Sequence, residues 1–133
     1  MEAQKVDHIG ISVIDLDKSL QFYTGVMGIS KDRISVMGSP GVMRIATITL
    51  QEGKIELLEF SDKSNPVAAS ADPRTDAIHH MAIKVDNIEE AFKAFKNQGS
   101  RLLTEQPQQL PGGRKIAFVE IPGTHVLIEL MEG

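Results

Sequence analysis

Two histidines and two glutamates recur in this chain at matched intervals. His8 stands in VDHIGISVIDLDKSLQFY over 6–23, and His80 in IHHMAIKVDNIEEAFKAF over 78–95, 72 residues further on. Glu56 in KIELLEF and Glu129 in VLIELME lie 73 residues apart and share the core IEL. Two neutral imidazoles and two carboxylates suit a divalent cation such as zinc, nickel, cobalt, manganese or iron. The two negative charges cancel a 2+ ion, which lowers the cost of holding carboxylates in a hollow. Four protein ligands on an octahedral ion leave two positions for water or a bidentate substrate. A lone histidine on a strand is ordinarily a satisfied structural residue, and a lone glutamate a solvated one. Recurrence at matched positions is what lifts these four above that reading. His79 falls on the opposite strand parity from His80 and reads as structural.

The elements that must position these side chains repeat in the same way. Over 6–13, Ile9, Ile11 and Val13 take one strand face while His8, Gly10 and Ser12 take the other. A helix follows over 15–24, with Leu16, Leu20 and Tyr23 in one stripe, Asp15 as N-cap, and Gly25 or Gly28 past its end. Strands are expected over 29–37, 42–50 and 54–60, with turns at 38–41 and 51–53. The segment 62–77 reads as a linker with a helical turn near 65–70. Then the order returns: strand 78–85, helix 87–98 opened by Asn87 and carrying Ile88, Ala91, Phe92 and Phe95, and strands 101–104, 114–121 and 124–131. The loop 105–113 holds two prolines and two glycines. The whole of 1–133 is thus expected to be one domain of the α+β class, with modules at about 6–61 and 78–132. Two tandem βαβββ modules would form a curved eight-stranded mixed sheet with helices on its convex side.

Composition bounds the partners. The chain has 133 residues, a formal net charge of −4 and no cysteine. No basic footprint argues for nucleic acid. No apolar run is long enough for a membrane span, and the N-terminus lacks the apolar core of a signal peptide, so a cytoplasmic protein is expected. The lack of cysteine removes thiolate chemistry and zinc–cysteine sites. One Tyr, five Phe and no Trp weigh against a groove built to stack flat ligands.

The repeat, the order of elements and the set His8, Glu56, His80 and Glu129 resemble the vicinal oxygen chelate superfamily. That group includes lactoylglutathione lyase (glyoxalase I), methylmalonyl-CoA epimerase, extradiol dioxygenases and drug-binding resistance proteins. DHIGISVIDLDKSLQFYTGVMGI is similar to its opening, and IHHMAIKVDNIEEA to the epimerases in particular. The resemblance implies the four residues as metal ligands, with Glu129 and Glu56 also moving a proton beside a carbonyl or carboxyl oxygen polarised by the ion. It implies a lyase or isomerase working on a small molecule, such as a thioester or a glutathione adduct, and a homodimer. Ser12, Arg114 and Lys115 are the candidates for holding the substrate. Two positions depart from the family pattern: Ser39 stands where the epimerases carry a proton-transfer glutamate, and Ser12 where glyoxalase I carries an arginine. A binding or resistance protein without catalysis is the alternative, and an extradiol-type dioxygenase the next.

Overall fold

The chain runs β1 (Ala3–Ser12), α1 (Leu16–Gly25), β2 (Ile34–Ser39), β3 (Met43–Thr49), β4 (Lys54–Phe60), α2 (Pro66–Ala69), β5 (Ala77–Val85), α3 (Ile88–Asn97), β6 (Gln108–Gln109), β7 (Lys115–Glu120) and β8 (Leu127–Glu132). The computed structural model describes residues 1–39 and 41–133; Pro40, in the turn expected at 38–41, lies outside the described residues. The eight strands form one mixed sheet in the order β2-β3-β4-β1-β5-β8-β7-β6. β5 pairs with β8 in parallel, while β2–β3, β3–β4, β6–β7 and β7–β8 are antiparallel. The fold is therefore α+β, as the sequence pattern predicts.

Contacts divide the chain into two compact units, one of Met1–His8 with His80–Gly133, the other of Ile9–His79. In the second unit Val13, Leu16, Ala46, Ile48 and Leu57 form the core, with Ile11, Leu20 and Tyr23 against it. In the first, Val85, Ile88, Ala91, Phe92, Ala117, Val119, Ile128 and Leu130 are buried together. Helix α3 turns Ile88, Ala91 and Phe92 inward at the expected 3–4 residue spacing.

Both long helices open with the same device. The Asp15 side chain accepts from the Lys18 N–H at 3.1 Å, and the Asn87 side chain from the Glu90 N–H at 3.1 Å. A second carboxylate satisfies one more orphan donor at each start. Glu59 accepts from the Leu16 N–H at 2.8 Å, and Glu132 from the Ile88 N–H at 2.9 Å. Both carboxylates also sit at the positive end of their helix. Glu59 is this cap at α1, and Arg44 Nε holds it from the other side at 3.1 Å. The Arg44 guanidinium and the Leu16 N–H keep the Glu59 carboxyl below its ordinary range.

Of the boundaries that differ from expectation, three have a visible local cause. The strand expected over 29–37 starts only at Ile34, because Lys31–Arg33 close a 3-10 turn, with the Arg33 N–H on the Ser30 carbonyl and the Ser30 hydroxyl on Asp32. The strand expected over 101–104 reduces to a bridge between Leu102 and Val119. Pairing resumes beyond Pro107, which offers no N–H, as the two-residue β6 inside the supposed loop. The last strand begins at Leu127 instead of Thr124, because the Thr124 hydroxyl donates to the Ile121 carbonyl and accepts from the Val126 N–H.

Candidate metal centre

Three strands of the first unit bring three ligand atoms together. β1 supplies His8, β5 supplies His80, and β8, parallel to β5 with Glu129 opposite Ala82, supplies Glu129. His8 Nε2 lies 3.1 Å from His80 Nε2 and 3.1 Å from Glu129 Oε1, and His80 Nε2 lies 3.2 Å from the same oxygen. All three residues are buried. Phe118, opposite Glu129 on β7, sets its ring edge-on to His80 with centroids 5.2 Å apart. The outer nitrogen of His8, Nδ1, lies 2.9 Å from Oδ2 of Asp7.

The spacing fits one cation. Ligand atoms each about 2.1 Å from a single ion stand about 3.0 Å apart at right angles and about 3.4 Å apart at the tetrahedral angle. Two imidazole nitrogens and a carboxylate oxygen at 3.1–3.2 Å from one another meet that requirement on all three edges of the triangle. The donors also suit the charge. Burial pushes the Glu129 carboxyl upward, but its hydrogen bonds to His8 and His80 and their attraction outweigh that and hold it at about 2. The carboxylate is therefore ionised at neutral pH although it is shut away from water. It offers a negative charge where a cation would otherwise be costly to hold.

The other predicted residues are placed as follows. Glu56 is half-buried on β4 in the second unit, opposite Thr47 of β3. Ser12 is buried, and its hydroxyl donates to the Ala77 carbonyl at 3.3 Å. It lines a shallow pocket of the second unit with Phe60, Lys63 and Asp72. Lys115 reaches Glu89 of α3 at 3.0 Å. It pairs across with Glu132, so it leaves β7 on the side away from Glu129. Arg114 is exposed in the turn before β7. Ser39 closes β2 opposite Met43 and is exposed. His79 is structural, with Nε2 at 2.8 Å from the Val67 carbonyl and its ring against Phe60. Asp7 was not singled out by the sequence, because the repeat puts His79 at the corresponding place and hides the carboxylate from comparison.

What these elements define is a buried group of two histidines and one carboxylate that could hold a cation, on a mixed sheet built from repeated strand–helix units. Residues 7–118 match the family model described as Glyoxalase/Bleomycin resistance protein/Dioxygenase superfamily. The chain belongs to that superfamily. It is 30% identical over 141 residues to a probable lactoylglutathione lyase of Vibrio cholerae, covering 99% of this chain and 93% of that protein. It is 28% identical over 116 residues to the mitochondrial methylmalonyl-CoA epimerase of Homo sapiens, covering 86% of this chain and 65% of that protein. Among solved structures, the methylmalonyl-CoA epimerase of Mycobacterium tuberculosis superposes with a TM-score of 0.75 at 27% identity, covering 98% of this chain and 88% of that one. Among the described residues no helix is long and apolar enough to cross a membrane.

Proposed function

We propose that this protein is a metal-dependent lyase or isomerase of the glyoxalase–epimerase type. It moves a proton on the carbon next to a carbonyl or carboxyl oxygen of a small thioester or glutathione adduct. The observation that carries the reading is the buried triangle of His8 Nε2, His80 Nε2 and Glu129 Oε1, with edges of 3.1–3.2 Å. A divalent ion held there supplies Lewis acidity, neutralising the charge that develops on the substrate oxygen. His8 and His80 hold their nitrogens toward that position and, being buried, keep bulk water from it. Glu129 is the proposed proton carrier: its carboxylate is ionised at neutral pH and takes the substrate proton as an enolate forms. Glu56 is the proposed fourth ligand and second proton carrier, offered by this chain or by the second copy of a homodimer. Ser12 and Arg114 are proposed to meet the substrate, Ser12 from the wall of its pocket. Lys115 is the weaker candidate for that role, since Glu89 already engages it. The protein is proposed to be cytoplasmic.

A second reading deserves its own test, because two histidines and one carboxylate also form the donor set of non-haem iron oxygenases. The discriminating experiment uses protein reconstituted separately with zinc, nickel, cobalt, manganese and iron(II). Each form is incubated in deuterated water with methylmalonyl-CoA and with the methylglyoxal–glutathione hemithioacetal, and the products are read by mass spectrometry. Deuterium at the substrate carbon establishes proton transfer, and the substrate that exchanges names the subfamily. Oxygen consumption by the iron(II) form on a catechol, with no exchange in either substrate, would refute the proposal in favour of the oxygenase.

A further inference from the structure

The His8 imidazole has two ring nitrogens, and the chain uses both. Nε2 faces His80 and Glu129 at 3.1 Å each, while Nδ1 lies 2.9 Å from Oδ2 of Asp7. A carboxylate only accepts, so this contact places a hydrogen on Nδ1; in the neutral ring the lone pair is then left on Nε2. Nε2 points at two other ligand atoms: without a cation a hydrogen on it serves the hydrogen bond to Glu129, and a cation takes that hydrogen's place and receives the lone pair. The ring cannot turn over to exchange its nitrogens without giving up Asp7. The His8 side chain is only 3% exposed, so water is poorly placed to replace the lost partner. The Asp7 side chain is itself 16% exposed, so the pair is largely withdrawn from solvent and its charge is weakly screened. Strand alternation sends neighbouring side chains to opposite faces, yet this carboxylate reaches the ring of the next residue. The second repeat does not copy the arrangement, since His79 precedes His80 and its Nε2 lies against the Val67 carbonyl.

We infer that Asp7 is a positioning residue of the cation centre: it fixes His8 with Nδ1 protonated and Nε2 turned to the ion, and thereby sets the affinity for the ion. This inference rests on the cation reading above, and its test separates the two. Chelator-stripped wild type, D7A and D7N are titrated with cobalt(II), followed by visible absorption and by competition with a chromophoric chelator. Removing a carboxylate that orients a ligating histidine weakens metal binding about 10–100-fold, and D7A is expected in that range. D7N keeps an accepting oxygen but loses the charge, so it falls between D7A and wild type. The nitrogens of wild-type His8 are read directly from a long-range proton–nitrogen spectrum of the zinc-loaded protein. A protonated Nδ1 beside a zinc-bound Nε2 is expected. Coordination through Nδ1 overturns the inference, even if D7A does not fold. Wild-type cobalt affinity in both variants also overturns it while leaving the cation centre standing. Failure of the wild type to bind cobalt or zinc removes the centre and the inference together.

Discussion

Glu129→Gln in metal-free protein tests the electrostatics of the centre without any assumption about substrate. The substitution keeps shape and volume but removes the charge. In the folded state the carboxyl is held at about 2 against an ordinary value of 4.5, because the interactions with His8 and His80 outweigh the cost of burial. Each pKa unit is worth about 1.4 kcal/mol, so the charged form contributes about 3 kcal/mol to the metal-free fold at neutral pH. E129Q is expected to lose most of that, less whatever its amide recovers by hydrogen bonding. The sign of the pH dependence follows from the depressed folded value. The contribution is complete above the unfolded value near 4.5 and disappears as pH falls toward about 2. Urea melts of both proteins, stripped with a chelator, should therefore diverge at pH 7 and converge between pH 4.5 and 2. A variant as stable as wild type at pH 7, or a gap that does not close with acid, would refute the reasoning.

Other consequences are open to simpler measurements. His80→Ala should abolish stoichiometric divalent metal binding with little change in fold; elemental analysis and circular dichroism of the purified variant check both halves. Glu59→Ala and Glu132→Ala should each destabilise by about 1–2 kcal/mol, since each strips a helix start of a charged acceptor for Leu16 or Ile88. For Glu59, with its lowered carboxyl, the effect should be full at neutral pH and fade as pH drops through that lowered value; denaturant melts at several pH values read it. Gly38→Ala should cost at least about 1 kcal/mol, because Gly38 has φ +104° and a Cβ there would run into the Met43 carbonyl oxygen; a lowered melting temperature is the readout.

How much of this was legible in the sequence depends on what each residue answers to. α1 and α3 were readable because apolar stripes and capping residues are local signals; Asp15 and Asn87 cap as their types suggest. β4 was readable from a tight turn and strong strand composition. The start of β2 was not, since a serine-to-aspartate contact decides between strand and turn there. Nor was β6, where two glutamines pair only because β7 offers them an edge. In the site, His8, His80 and Glu129 declared themselves through repetition. Asp7 did not, because only one repeat carries it, and its value comes from a distance rather than a spacing. The helix-capping role of Glu59 and Glu132 was visible in principle: they are 73 residues apart, like Glu56 and Glu129. Nothing in composition says that a strand's last carboxylate will reach a helix.

β8 carries Glu129 on one side and Glu132 on the other, three positions apart. A single strand segment thus serves the proposed cation centre and the first turn of α3 together. Inserting or deleting one residue between the two would invert one of them, stranding either a ligand or a cap. Length change over generations should therefore be tolerated upstream, between the helix starts and the last strands. The one-residue difference between the repeats falls there, where 72 becomes 73. The IEL–x–E ending is the stretch whose length this architecture can least alter.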